Sequence, residues 1–251
     1  MARRRFYASP ADIAADQINL SSHESHHLIR VLRLKPGSVV FVFDGLGKEY
    51  RCVYLEETGS RARLEVVELL PDIVESPLNL TLVQSLVKGD KFDFIVQKAT
   101  ELGVSRIIPL ACDHSDVRLA GDQSLKRVER WQRISLEALK QCGRRRLVEI
   151  TSIMALEALL DMAISTIRPG RLLLFSEKGG QNLSVAIKSV AAESGILALI
   201  GPEGGWSELE LEALERADAR SVSLGPRILR TETAAVVAMT LLQNHLGDLS
   251  R

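Results

Sequence analysis

From residue 79 onward short apolar runs alternate with segments of helical spacing, and this rhythm restricts the fold more than any other feature of the chain. "NLTLVQSL" (79–86), "RIIPL" (106–110), "LVEI" (147–150), "RLLLF" (171–175), "ILALI" (196–200) and "RSVSL" (220–224) read as strands. Helices are predicted between and after them, over 90–103, about 124–142, 155–163, 183–193, 208–217 and 232–246. Strands that are apolar along both faces need cover on both sides. Helices at this spacing supply it, so the expected class is α/β with a mostly parallel sheet.

The first 70 residues follow another pattern. "SVVFVF" (38–43), "EYRCVYL" (49–55) and "ARLEVVELL" (62–70) are β-type runs separated by the turns "DGLGK" and "EETGS", which predicts a compact β-rich unit. A helix is expected in "SSHESHHLIRVLRLKPG", where Ser21 stands three residues before Glu24 and Pro36-Gly37 ends the run. Two prolines, Pro71 and Pro77, bracket a polar stretch, so the domains are placed at 1–71 and 78–251.

The 32 basic residues balance the 32 acidic ones, so net charge points to no partner. Its distribution is uneven: 126–146 holds eight Lys or Arg against two Glu, and 190–220 holds seven acids against two Arg. The first cluster fits either a solvated helix or a polyanion footprint. Cys52, Cys112 and Cys142 show no paired spacing, which predicts neither a disulfide framework nor a zinc site and suits a reducing compartment. His23, His26 and His27 lie at helical spacing without a third ligand nearby, so no metal is expected. No apolar run reaches the ~20 residues that span a bilayer, and "MARRRFYASP" lacks the apolar core of a secretory signal. A soluble cytoplasmic protein is expected.

Two loops carry chemistry. "GPEGGW" (201–206) follows a strand and leads into Ser207-x-x-Glu210, a capping box, which sets it at the carboxyl edge of the sheet where α/β folds bind ligands. Its spacing fits neither the dinucleotide nor the P-loop fingerprint. Glu203 would also repel a pyrophosphate but suit a cationic or hydroxyl-rich ligand; the alternative is a tight turn with a helix-capping acid. "LGPRILRTETAAVVAM" (224–239) again follows a strand and opens a helix, with Thr231 as the expected N-cap. Arg227 and Arg230 fit either an anionic substrate or ordinary surface positions.

These two loops, with "HHLIRVLRLKPGSVVFVFDGLGKEY" (26–50), "KGDKFDFIVQKATELGVSRIIPL" (88–110) and "RWQRISLEALKQCGRRR" (130–146), resemble the bacterial ribosomal small-subunit RNA (uridine-N3)-methyltransferase family, a branch of the trefoil-knotted SPOUT methyltransferases. The resemblance covers nearly the whole chain. It implies a small N-terminal PUA-like β-barrel for RNA, a C-terminal knotted α/β domain binding S-adenosylmethionine, and a homodimer acting on 16S ribosomal RNA. Matched by position, the cofactor residues would be Phe175, Ser176, Glu177, Ile200, Gly201, Pro202, Glu203, Gly204, Leu224, Gly225, Ile228, Leu229, Arg230 and Thr231. Two departures stand out: Asp113-His114 where the family has a Glu-Arg pair, and Val148 where it has proline.

Methylating N3 of uridine requires loss of a weakly acidic imide proton. Arg230, with Arg227, is expected to stabilise the developing imidate oxygens; no base is assigned. Arg3, Arg4, Arg5, Arg30, Arg33 and Arg144 are the expected RNA contacts. Rival readings are a knotted methyltransferase acting on transfer RNA or a ribose hydroxyl, and a non-catalytic RNA-binding assembly factor, which would need neither loop intact. The apolar last helix suits either the domain core or a subunit interface.

Overall fold

The computed structural model describes residues 3–73, 75–115, 121–166, 171–177, 179–188, 190 and 195–250. The chain forms two compact units, Met1–Glu75 with Leu136–Leu147, and Ser76–Ser135 with Val148–Arg251. The division therefore differs from a single cut in the Pro71–Pro77 stretch.

The first unit contains β1 (Arg5–Tyr7), β2 (Gln17–Asn19), β3 (Val39–Phe43), β4 (Glu49–Thr58) and β5 (Arg61–Leu69). They pair in the order β1-β3-β4-β5-β2, antiparallel except for β1 with β3. Strand alternation sends Val40, Val42, Cys52, Tyr54, Ala62 and Leu64 into a core shared with Phe6, Ile18, Leu20 and Leu28. The predicted helix is α1 (Ser22–His26) continued by one π-helical turn at His27–Val31. Ser21 Oγ accepts from Glu24 N at 3.3 Å. The Glu24 carboxylate does not close the capping box; it turns inward, accepting from Tyr7 N at 3.2 Å and Lys140 Nζ at 2.5 Å.

Residues 136–147 belong with this unit because they carry the counter-charges of its buried acids. Glu49 is held by Arg5 Nε at 2.6 Å and by Arg145 Nη2 at 3.0 Å. Arg144 Nε donates to Glu75 at 2.7 Å, and Arg145 Nη1 donates to Pro71 O at 2.7 Å. Carboxylates this deep cost several kcal/mol each unless paired and hydrogen-bonded, so the segment that pairs them is part of the same packing unit.

The second unit runs through β6 (Leu80–Ser85), α2 (Lys91–Glu101), β7 (Arg106–Ala111), α3 (Asp122–Cys142, whose last turns join the first unit), β8 (Glu149–Ile150), β9 (Met154–Ala155) and α4 (Leu156–Thr166). It continues through β10 (Leu172–Phe175), β11 (Gln181–Asn182), α5 (Leu183–Ala186), β12 (Ile196–Ile200), α6 (Glu208–Arg216), β13 (Arg220–Ser223) and α7 (Thr231–Leu246). The helix expected over 183–193 is helical at Leu183–Ala186, and positions 189 and 191–193 of it lie outside the described residues. Strand order is β11-β13-β10-β12-β6-β7-β8, with β9 also on β7, and every pairing is parallel. One core contains Leu80, Leu82, Leu173, Ile196, Ala198 and Ile200 with Phe92, Ala235 and Leu242. The other contains Val83, Leu172, Leu174, Leu197 and Leu199 with Leu156, Leu159 and Leu214. Alternate residues of each strand thus feed opposite faces, which is why these strands read as unbroken apolar runs. Among the described residues no helix is long and apolar enough to cross a membrane.

After β9 the chain returns to the other side of β6, where β12 inserts between β10 and β6. Strand order reverses there, and such a switch point opens a crevice at the carboxyl ends of the strands.

Candidate active site

The two Gly-Pro loops do not follow neighbouring strands. β10 lies between β12 and β13, with Phe175 opposite both Ile200 and Val222. The loops after β10, β12 and β13 therefore leave one sheet edge side by side. They bring together Phe175–Glu177, Ile200–Gly204 and Leu224–Thr231.

The middle loop is tight. Gly205, at φ 74°, donates from its N to Pro202 O at 3.0 Å, closing a turn around Glu203 and Gly204. A Cβ on Gly201 would lie 2.6 Å from Trp206 Nε1, so only glycine leaves room for the indole. Ser207 caps α6 with a complete capping box to Glu210, as the S-x-x-E pattern indicates. The departures at 113–114 pack onto this loop: Ser207 Oγ donates to Asp113 at 2.7 Å, Asp113 N donates to Glu210 Oε1 at 2.9 Å, and His114 Nδ1 is 3.2 Å from Gly205 O.

Glu203 does not stand alone. Its carboxylate is paired with Lys91, whose ammonium is also 4.0 Å from Glu232 Oε2. Two carboxylates and one ammonium from three segments leave this corner of the edge net negative.

In the third loop Gly225 adopts φ 107°, while Arg227 and Ile228 are exposed. Arg230, not Thr231, is the N-cap of α7, and it makes no side-chain cap bond. Thr231 is buried one position further on, and its Oγ1 donates to Gly201 O at 2.8 Å. The hydroxyl expected to cap its own helix instead ties the third loop to the second. Arg230 is exposed beside that tie.

The expected RNA arginines separate into two groups. Arg3, Arg4, Arg30 and Arg33 are exposed, Arg3 stacking over the Phe41 ring at 4.9 Å. Arg5 and Arg144 are corrected from RNA contacts to internal cations. Arg5 spends its guanidinium on Glu49, Leu139 O and Arg144 O at 2.6, 2.6 and 2.9 Å, and Arg144 is held by Glu75. A cation drawn out of water and paired with an acid of its own unit is spent there rather than offered to a phosphate. Of the 126–146 cluster, Lys140 and Arg145 are consumed in the same way.

Several residues at the edge carry no motif and escape a reading of the sequence. Gly180, at φ 126°, lies so close to β13 that a Cβ would sit 2.9 Å from Ser223 N. Ser85 Oγ donates to Ile200 O at 2.9 Å and lies 3.1 Å from Cys112 Sγ. Burial pushes the Cys112 thiol up to about 12, so it serves this network as a neutral group. Glycine after a short strand is the only local signal for Gly180, and none exists for Ser85.

Comparison with known proteins agrees with this geometry. The RNA methyltransferase domain family matches residues 74–243, and the RNA methyltransferase PUA domain family matches residues 20–67. The ribosomal RNA small subunit methyltransferase E of Bacillus subtilis is 31% identical over 91% of this chain and 90% of that protein. A crystal structure of the Neisseria gonorrhoeae methyltransferase E bound to S-adenosyl methionine superposes with a TM-score of 0.87 at 33% identity, over 98% of this chain and 99% of that one. A methyltransferase from Legionella pneumophila, also with bound S-adenosylmethionine, gives 0.90 at 28% identity, over 99% of this chain and 100% of that one. The chain belongs to the RNA methyltransferase family, with the ribosomal RNA small subunit methyltransferase E proteins among its relatives.

Proposed function

We propose that the protein transfers the methyl group of S-adenosylmethionine to N3 of a uridine in 16S ribosomal RNA, as a cytoplasmic homodimer with a trefoil-knotted catalytic domain. The observation that carries this reading is the convergence of three parallel strand ends, β10, β12 and β13, whose loops form one glycine-lined edge. Two solved relatives bind S-adenosylmethionine on the same fold.

The residues at this edge fit such a group. Gly225 leaves backbone open, with nothing within 4 Å of where a Cβ would stand, while Gly201 and Gly180 let the Trp206 indole and β13 approach closely. The carboxylates of Glu203 and Glu232, only partly offset by Lys91, suit a molecule that carries both a sulfonium and an ammonium. The same carboxylates would repel a pyrophosphate. Phe175, Ser176, Glu177, Ile200–Gly204, Leu224, Gly225, Ile228, Leu229 and Thr231 would hold it. When bound, it supplies a methyl group on a positively charged sulfur, already activated for in-line displacement.

The chain's own task is then alignment and charge. Fixing nucleophile and methyl donor in register contributes ~7–11 kcal/mol of barrier lowering. As uracil loses its N3 proton, negative charge spreads onto O2 and O4. Arg230, exposed one residue before the Thr231–Gly201 tie, donates charge-assisted hydrogen bonds to that charge, with Arg227 beside it. Arg3, Arg4, Arg30 and Arg33 contact the phosphate backbone and set orientation rather than sequence choice.

The test incubates the protein with methyl-labelled S-adenosylmethionine and small ribosomal subunits from cells lacking this gene, then identifies the labelled nucleoside. Label in 3-methyluridine is expected. Label in another nucleoside moves the substrate, and tight RNA binding without label removes the catalytic reading. Light scattering at micromolar concentration reads the dimer directly.

A further inference from the structure

We propose that Gln84, on β6 and outside the three loops, is the positioning residue that holds the cofactor cradle in its binding geometry; this rests on the cofactor reading above. Gln84 is fully buried. Its Nε2 donates to Thr231 Oγ1 at 3.1 Å and to Ser85 O at 3.1 Å. A hydroxyl that accepts there must send its single proton elsewhere, and Thr231 sends it to Gly201 O at 2.8 Å. The amide thus sets the hydroxyl, and the hydroxyl sets the first carbonyl of the glycine turn. The reverse amide orientation would ask one Thr231 proton to serve two acceptors. The neighbouring Ser85 Oγ holds the preceding carbonyl, that of Ile200, at 2.9 Å. Two successive β6 residues therefore fix two successive carbonyls where β12 becomes loop.

The cost of this arrangement is visible. Gln84 Oε1 is buried and has no hydrogen-bond partner among the described residues. An orphaned buried acceptor destabilises a fold, and an apolar side chain of the same length would remove that penalty while giving up the two Nε2 bonds, so the two effects on stability oppose each other. Polar groups kept against stability are expected at functional sites. Gln84→Met should therefore separate binding from stability, which an ordinary core residue would not do.

The test titrates the full chain with S-adenosylmethionine in a calorimeter, without RNA, and measures thermal unfolding alongside. Gln84→Met is expected to weaken binding about tenfold, equivalent to one buried hydrogen bond, with Tm unchanged or raised. Unchanged affinity, or affinity and Tm falling together, overturns the inference. Thr231→Val is expected to weaken binding similarly and Thr231→Ser to preserve it; equal loss in both overturns the hydroxyl's part. Should Gln84→Met fail to fold, this Thr231 pair decides. The Gln84→Met/Thr231→Val double variant should bind no more weakly than Thr231→Val alone, since both break one chain of bonds, and additive losses overturn the coupling. Wild-type protein that binds no S-adenosylmethionine overturns the cofactor reading itself, so the two failures are told apart.

Discussion

Arg5, in "RRFY", and Arg230, in "ILRTE", occupy opposite environments. Arg5 is sealed in the first unit, its guanidinium divided among a carboxylate and two carbonyls. Arg230 starts α7 in solvent, next to a threonine that is itself committed to the glycine turn. A cation is turned into structure where a buried acid waits for it, and remains available for ligands where none does. Charge density along the chain does not make that distinction; the location of the partner acids does.

The buried arginine should show the larger energetic effect. Glu49→Leu leaves Arg5 and Arg145 without their shared acid, and urea unfolding should show a loss of about 3–5 kcal/mol. A loss below about 1 kcal/mol would mean that the network is dispensable. On the exposed side, Arg230→Ala should lower kcat by about 10²–10³, roughly 2.7–4 kcal/mol, while unfolding and S-adenosylmethionine affinity stay put. If affinity falls with turnover, Arg230 belongs to the cofactor cradle instead.

A smaller effect sharpens the RNA side. Arg30 is 63% exposed and reaches Glu57 only at a long 3.4 Å, and Arg33 sits at φ 52°. Arg30→Ala with Arg33→Asn, asparagine tolerating that backbone, should flatten the salt dependence of RNA binding by roughly 0.7–0.9 for each phosphate left without its cation. An unchanged slope would take both residues off the RNA. Least of all, Lys91→Met should shift stability by under about 1 kcal/mol, because the Lys91 and Glu203 side chains are 34% and 44% exposed and water screens the pair. Cys112, pushed up to about 12 by burial, stays a neutral thiol well below that pH. Iodoacetamide at about pH 8, below even the ordinary thiol range, should leave it unmodified in the folded chain, and rapid labelling would show that its surroundings open.

How much of the molecule is legible in its sequence follows the range of the interactions. The apolar strands, the capping box at Ser207 and the glycine turn depend on residues within a few positions of one another, and each stands where local pattern puts it. The insertion of β10 between β12 and β13 depends on pairings far apart in the chain, and no local pattern encodes it. Thr231 is legible as a residue at a helix start but not as the donor to Gly201, which lies 30 positions away. β1, β2, β9 and β11 are two or three residues long, too short for any period to show. Arg5 and Arg144 read as outward-facing because Glu49 and Glu75, which draw them in, are remote in sequence.

The first unit closes only with the help of residues 136–147, and the hydrogen bond from Arg5 to Leu139 joins positions 134 apart. During synthesis the N-terminal strands emerge early but must wait for that segment before Glu24 gains Lys140 and Glu49 gains its second cation, Arg145. At about 5–20 residues per second, the wait from Arg5 to Leu139 lasts roughly 7–27 s, during which β6, α2 and β7 also leave the ribosome. The N-terminal portion is then no early-folding leader. The two units mature in overlapping windows, and a chain stalled before residue 136 exposes acids that its own sequence has not yet neutralised.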